Sequence, residues 1–469
     1  MILSSFTSWD YNTTWKSMVG FAIICVTMLL GNTLRRKIPF LRRMLIPTAV
    51  IAGFIGLGLK YLINAIPSND IDIVNNEFFE YITYHMIAIG FIAMTLKASK
   101  KEKDTENKAV KSGLLIVGGY LIQGVVGLTI TIGLGFIFKE VAQYGGLLLP
   151  MGYGQGPGQA NNVGQIFEQA GFVSGKAFGL SIATLGFICA CIPGVLYINY
   201  LAKKGIVKRV DNTLEKTKLM DIEDENEIPE CESVDKLTIQ ICFVGLIYLL
   251  TYLCIVLLSS VIDSSGVQFL IKNVKPLLWG FNFIFAILFT MLIKAVVNFL
   301  RKNNYMTRQY TNDYMLNRIS GFAFDLMIAT SIMAIEIESL NSFGILLALV
   351  LCSIFGGLVT FLYCRKVCKN VYPDYYPQAT ASMFGMLSGT ASTGIALLRE
   401  IDPNFETPAS NNMVTGSSTA VIFGAPILLL VGFIYNPEWY WLWGSYFILL
   451  VGFIVIYSIL MKKNKKVTK

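Results

Sequence analysis

The chain has 469 residues, of which 54% are hydrophobic and only 14% are charged, and its mean hydropathy is +0.59. Apolar stretches of about 20 residues, the length that crosses a bilayer core, recur along nearly the whole sequence. This composition excludes a soluble fold. The net charge of +8 does not indicate nucleic-acid binding, because the Lys and Arg residues lie in short segments between apolar runs rather than in one basic patch.

Eleven apolar segments are predicted to be transmembrane helices of an all-α integral membrane protein. In chain order they cover 17–34, 43–63, 81–96, 112–138, 176–200, 237–262, 276–300, 319–337, 342–364, 416–435 and 440–461. The third segment is the weakest, because Glu80 and the lone histidine, His85, lie at its outer end.

Basic and acidic residues alternate from one inter-helix segment to the next. Because basic segments mark the cytosolic side, this alternation predicts a multi-pass protein of the cell membrane, with its N-terminus outside and its C-terminus in the cytosol. The basic segments lie at 35–43, 97–111, 203–209, 301–318, 365–369 and 462–469, and the acidic ones hold Asp70, Asp72, Glu77, Asp263 and Glu438.

A charged stretch at 203–236 divides the chain into two halves. The first half, 1–202, and the second, 237–436, each contain five predicted helices. Because five is an odd number, the second half enters the membrane in the opposite orientation, as two inverted-topology repeats require. Residues 437–469 add an eleventh helix and a basic tail to the second repeat.

Each half contains a glycine-rich interruption before its last helix. The first, at 145–171, includes LLLPMGYGQGPGQANNVGQIFEQAG, and the second, at 378–412, includes SMFGMLSGTASTGIALLREIDP. No continuous helix tolerates such sequences, and broken helices persist at membrane depth only where protein or water satisfies the freed backbone groups. The matched pair predicts two re-entrant loops, entering from opposite sides, whose tips meet at a substrate cavity near the midplane.

The chemistry of these loops suits an anion together with a cation. Helix N-termini and glycine amides hold carboxylates, whereas freed carbonyls and hydroxyls coordinate sodium. The predicted substrate-binding residues are Gly152, Gly154, Gln155, Gly156, Gly158, Gln159, Asn161, Asn162, Ser388, Gly389, Thr390 and Arg399. The predicted sodium ligands are Asp325, Thr390, Ser392 and Thr393, and sodium is the only cofactor expected, as the coupling ion.

The order of helices, the segment IPTAVIAGFIG at 46–56 and the two loops resemble the sodium/glutamate symporter family. The first loop matches the family pattern better than the second, in which LSGTASTG is rich in hydroxyls rather than glycines. The resemblance covers the first ten helices and implies sodium-coupled symport of glutamate or a similar small organic anion by alternating access. It also implies a homodimer and a mobile unit that carries both loops.

Three charged residues lie within apolar segments. Asp325 lies about 10 Å from the cytosolic end of its helix, at a rise of ~1.5 Å per residue, and is interpreted either as an ion- or proton-coupling group or as a structural partner of Lys294. Gly321 and Ala329, one turn to either side of it, predict a stripe packed closely against a neighbour. Arg399 either meets a substrate carboxylate or anchors the cytosolic end of its helix.

Other functions stay open at this point. A hydroxycarboxylate carrier or a cation/proton antiporter that uses Asp325 would share the same architecture. A channel would show a filter repeated in several subunits, and a membrane enzyme would need a polar catalytic cluster. With one histidine and no GxSxG, HExxH or Walker-type sequence, the chain is not expected to be an enzyme.

Overall fold

The computed structural model describes residues 15–64, 76–97, 106–207, 236–303, 305, 310–402 and 406–462, and these contain helices and no strands. The charged stretch predicted as a linker lies mostly outside the described residues, as does the basic tail. The helices are α1 Lys16–Lys37, α2 Pro39–Arg43, α3 Thr48–Asn64, α4 Asn76–Leu96, α5 Glu106–Gly135, α6 Pro157–Gln169, α7 Gly175–Lys203, α8 Lys236–Ser265, α9 Lys275–Gly280, α10 Asn282–Lys302, α11 Asp313–Met333, α12 Phe343–Val371, α13 Tyr376–Ser388, α14 Ala391–Arg399, α15 Ala409–Val431 and α16 Trp439–Met461.

Each of the eleven predicted segments overlaps one of these helices, but eight helices within the described residues are long and apolar enough to span a membrane. These are α1, α4, α5, α7, α8, α10, α12 and α16. Helix α3 is shorter, and α11 and α15 do not meet the same criterion. The described part of the chain is therefore all-helical, with several helices able to span a membrane, and the count of eleven stays a prediction.

The buried residues of the peripheral helices form narrow stripes. In α8 they are spaced by three or four residues, so that one face packs on the protein while exposed Leu, Val and Ile side chains cover the rest. In α1 the stripe includes two glycines that allow close approach: a Cβ at Gly31 would lie 3.0 Å from the backbone nitrogen of Ala52 in α3. Apolar exposure on this scale is expected where lipid replaces water as the solvent.

The helices pack into two bundles. We call α1, α3, α4 and α8–α11 the first bundle, and α5–α7 with α12–α16 the second bundle. Each bundle takes helices from both halves of the sequence, and α6 provides most of the packing between them, against α4, α9 and α11. Both predicted loop tips therefore belong to the second bundle and face the first.

An ion pair joins the bundles at the end predicted to face outward. The Lys176 ammonium of α7 lies 2.8 Å from a Glu80 carboxylate oxygen of α4 and 3.5 Å from Glu168 of α6, and both ends of the Lys176–Glu80 pair are about four-fifths buried, with 22% and 18% of the side chains exposed. The Glu168 carboxylate also accepts a hydrogen bond from the backbone amide of Lys176 at 2.9 Å. The pair stabilises the arrangement of the bundles that the structure shows.

We expect Glu80→Gln to lower the free energy of unfolding by roughly 1–2 kcal/mol, because a partly buried ammonium loses a charged hydrogen-bond partner. The charge exchange Glu80→Lys with Lys176→Glu should recover less than half of that loss, because it leaves Glu168 beside a second carboxylate. The pair of Lys275 and Asp263, 2.7 Å apart but more exposed and within the first bundle, is the control, and Asp263→Asn should have a smaller effect. Thermal unfolding in detergent measures all three, and equal losses for Glu80→Gln and Asp263→Asn would contradict this role.

Candidate substrate-binding site

The first interruption begins with one turn of π-helix, Pro150–Gly154. Gln155 and Gly156 follow, and α6 starts at Pro157. Gly156 has φ +92°, a conformation that side chains rarely adopt, so glycine is required at this tip. Pro157 suits the first position of a helix because its fixed φ is helical and the amide it lacks would have no partner there. The local sequence thus determines both the break and the new helix start.

The second interruption separates α13 from α14 at Gly389 and Thr390; Thr390 is extended, and Gly389, with ψ −106°, is neither helical nor extended. Gly389 has φ −136°, so its role is not a left-handed conformation. Glycine is needed there because the space for a side chain is small: a Cβ would lie 3.1 Å from both the Gly385 carbonyl oxygen and the Thr393 hydroxyl. The sequence locates this break correctly, and packing explains the glycine.

The two tips meet. A Cβ built on Gly156 would lie 3.8 Å from the methyl carbon of Thr390. A cavity of about 130 Å³, which we call the inner cavity, lies beside this contact and between the two bundles. From the second bundle it is lined by Tyr120, Gly154, Gln155, Gln159, Met386, Gly389, Thr390, Ala391, Ser392, Ser417, Ala420, Gly424 and Leu428.

The first bundle closes the inner cavity with an apolar wall. This wall consists of Ile87, Phe91, Met94, Phe283, Ile284, Phe324 and Met327. The ring of Phe91 is 5.3 Å from that of Phe283 and 5.5 Å from that of Phe324, in tilted and edge-to-face contacts. A polar ligand at the tips is therefore separated from the first bundle by side chains that offer it no hydrogen bond.

Two helix starts border the inner cavity, and neither has a side-chain cap. Gly156 precedes α6 and Thr390 precedes α14, and at both positions no side chain accepts a hydrogen bond from the first-turn amides. First-turn amides have no acceptor within their own helix and carry the positive end of the helix dipole. The hydroxyls of Thr390 and Thr393 lie 3.5 Å apart beside the second start. No charged side chain is among the described residues that line this cavity.

The structure brings together six of the predicted ligands at the inner cavity, namely Gly154, Gln155, Gln159, Gly389, Thr390 and Ser392. Gly156 lies at the tip contact itself. Ser388 and Thr393 are buried behind the second tip, at 0% and 1% exposure. Asn161 and Asn162 line a different cavity, farther along α6.

Three of the predicted substrate-binding residues, Gly152, Gly158 and Arg399, do not line the inner cavity. Gly152 packs against α7, where a Cβ would lie 2.9 Å from the backbone nitrogen of Ala183. Gly158 packs against the first bundle, 2.7 Å from the Ile87 side chain by the same measure. Arg399 is exposed at the far end of α14. Helix geometry separates these residues from the tip although they are close to it in sequence.

Asp325 also lies away from the inner cavity. The faces of α11 that line the cavity carry Phe324 and Met327, whereas Asp325 is exposed and the nearby charge that acts on it is Arg35. Lys294 does not pair with it, because its ammonium donates to the Thr95 carbonyl at 3.1 Å and to the Lys97 carbonyl. The close packing predicted for this face of α11 is not found at Gly321, where a Cβ would have no described atom within 4 Å. The position of Asp325 thus separates it from the three hydroxyl residues predicted to share sodium with it.

Gln123 contacts the site but is not among the residues predicted from the sequence. This α5 side chain is 1% exposed and donates to the Leu387 carbonyl at 2.8 Å and to the Thr360 hydroxyl at 2.9 Å. The Leu387 carbonyl is one of those freed by the second break, while a Cβ at Gly154, in the first, would lie 2.9 Å from the Gln123 amide oxygen. Gln123 therefore supports both tips. Its signal in the sequence is a lone amide within the apolar part of α5, 113–135.

The family model of the sodium/glutamate symporter matches residues 14–406, a range that contains both tips. The chain belongs to the sodium/glutamate symporter family. A search of curated proteins found no significant match. As a member of the sodium/glutamate symporters, the protein is a membrane transporter and not an enzyme. The resemblance predicted from 46–56 and the two loops is thereby confirmed.

Proposed function

We propose that the protein carries glutamate or a similar small organic anion across the cell membrane together with sodium, by alternating access. The observation that carries this proposal is the meeting of two uncapped helix starts at a cavity between two bundles. Each helix start carries about half a positive charge in its amides, and two of them suit a dicarboxylate.

The absence of charged side chains from the described lining explains why a cation is needed. Burying a carboxylate without a compensating charge costs far more than its hydrogen bonds return. Sodium bound by Thr390, Ser392, Thr393 and freed backbone carbonyls would supply that charge at the same place. Substrate and sodium then stabilise one another in the cavity, which is the thermodynamic basis of symport.

Alternating access follows from the division into two bundles. The tips and their helices belong to the second bundle, and an apolar wall of the first bundle faces them. Because that wall offers a bound polar ligand no hydrogen bonds, the second bundle with its ligands is free to move along it. Two inverted repeats, a homodimer and an N-terminus outside the cell remain part of this proposal.

Thermal unfolding of the purified protein tests the substrate and the ion together. We expect L-glutamate to raise the unfolding temperature in sodium, and to raise it less when potassium or lithium replaces sodium. A concentration 100-fold above Kd corresponds to about 2.7 kcal/mol of stabilisation. D-glutamate, aspartate and citrate are the comparison ligands. An equal shift in sodium and potassium would contradict sodium coupling, and a larger shift with citrate would favour a hydroxycarboxylate carrier.

A further inference from the structure

A second cavity, of about 650 Å³, lies between the same two bundles. We call it the outer cavity, because it is at the end predicted to face outward. Unlike the inner cavity it is polar and carries charges of both signs. It is lined by Glu77, Glu80, Tyr81, Tyr84, His85, Asn161, Asn162, Gln165, Ile166, Gln169, Ile271, Lys275, Pro276, Trp279 and Gly280.

The two cavities are stacked with less than one helical turn between them. Along α4 the lining changes from outer to inner between His85 and Ile87. Along α6 it changes from inner to outer between Gln159 and Asn161. From α9 to α10 it changes between Gly280 and Phe283. Two residues rise about 3 Å along a helix, so that a single layer of side chains divides the cavities.

That layer contains carboxamides whose hydrogen-bonding groups are not satisfied. Both amide atoms of Gln159 and the amide oxygens of Asn161 and Asn162 are buried and make no hydrogen bond with the described residues. The same is true of both amide atoms of Asn282, although the hydroxyls of Tyr84 and Tyr248 are close enough to interact with it. The exposed fraction of these four residues is between 1% and 3%. We call them the amide layer.

One hydrogen bond closes the amide layer across the bundle interface. The Asn162 side chain of the second bundle donates to the Gly280 carbonyl of the first bundle at 2.6 Å. The other buried amide atoms named above make no hydrogen bond with the described residues in this closed arrangement. A buried polar group without a partner destabilises a protein, and native structures rarely keep several together unless another state or a ligand satisfies them.

We propose that the outer cavity is the route by which substrate reaches the inner cavity, and that the amide layer is the gate between them. The inference rests on the proposed function. Carboxamides donate and accept hydrogen bonds and carry no charge. They therefore suit a zwitterionic amino acid or a hydrated ion, whose groups satisfy the layer in passing, and they disfavour an apolar solute. When the gate opens, the Asn162–Gly280 hydrogen bond breaks, and the passing solute or its water supplies hydrogen-bond partners to the amide layer.

Thiol labelling from outside the cell tests the route without knowledge of the substrate. The full-length variant Ser392→Cys places a thiol in the lining of the inner cavity, and Gln165→Cys places one in the outer cavity. The probe is a membrane-impermeant quaternary-ammonium thiosulfonate applied to whole cells. The parent chain measures the background, because its own Cys242 is exposed.

We expect both thiols to react with the probe. Asn282→Leu should slow the reaction of Ser392→Cys by about tenfold, because the hydrated probe then finds one hydrogen-bonding group fewer as it crosses the amide layer. The reaction of Gln165→Cys should be unaffected by Asn282→Leu. Asn161→Leu should reproduce the result, so a folding failure of either variant leaves the other as the test. The thermal stability of Asn161→Leu should be unchanged or raised, because the buried amide oxygen it removes makes no hydrogen bond with the described residues.

Two results would contradict the proposal that the amide layer is a gate. One is labelling of Ser392→Cys at the same rate with and without the leucine substitutions. The other is labelling of Gln165→Cys from outside while Ser392→Cys never reacts. Neither result depends on which solute is carried. If the proposed function is wrong, the thermal shift with glutamate does not depend on sodium. If the gate is wrong, only the labelling rates differ from those expected.

Discussion

Gly156→Val is expected to abolish sodium-dependent uptake while the protein still inserts into the membrane. Gly156 has φ +92° and ψ 178°, and a side chain in that region costs about 1–3 kcal/mol, with a β-branched one tolerated least. The new side chain would also extend toward Thr390, whose methyl group would lie 3.8 Å from its Cβ, and would occupy the place where the two tips meet. Backbone strain and occlusion therefore act together at one position.

A matched control separates these two causes. Gly171 has φ +105°, but a Cβ there would have no atom within 4 Å, and it lies at the end of α6 away from the tips. Gly171→Val should thus lose a similar amount of stability and keep most of its uptake. The measurements are uptake into proteoliposomes and thermal unfolding of the same preparations. Equal loss of uptake in both variants would show that strain alone, rather than the tip contact, is responsible.

Gln123→Leu is expected to have the second largest effect, with uptake reduced by at least about tenfold and a loss of stability of roughly 1–3 kcal/mol. The Leu387 carbonyl would lose its donor at 2.8 Å, and in the low-dielectric interior nothing replaces it. Because Leu387 is two residues from the second tip, its backbone would shift to find another partner. The tips would then no longer hold the spacing that the inner cavity requires.

Gln240 offers a control of the same residue type. It is also 1% exposed and donates to a backbone carbonyl, that of Tyr310, at 2.7 Å, but it lies in α8 of the first bundle. Gln240→Leu should cost similar stability and leave the substrate dependence of uptake unchanged. A positioning role for Gln123 further requires that Gln123→Leu raise the substrate concentration needed for half-maximal uptake. If only stability changed in Gln123→Leu, its role would be structural.

The sequence by itself determined the class of protein and the places where its helices break. The apolar segments predicted the helices because their length and hydropathy depend only on local composition. The breaks at Gly156 and at Gly389 were predictable because proline and glycine act on the backbone of their own neighbours. The family followed from the same residues.

Only the tertiary structure decided which side chains face the inner cavity. Asp325 and Phe324 are adjacent in α11, yet Phe324 lines the cavity and Asp325 does not, because the face a helix presents is fixed by its packing partners. Gln123 is 264 residues from the Leu387 carbonyl that it satisfies. The amide layer likewise draws Asn282 from one bundle and Gln159 from the other, a proximity that no local pattern encodes.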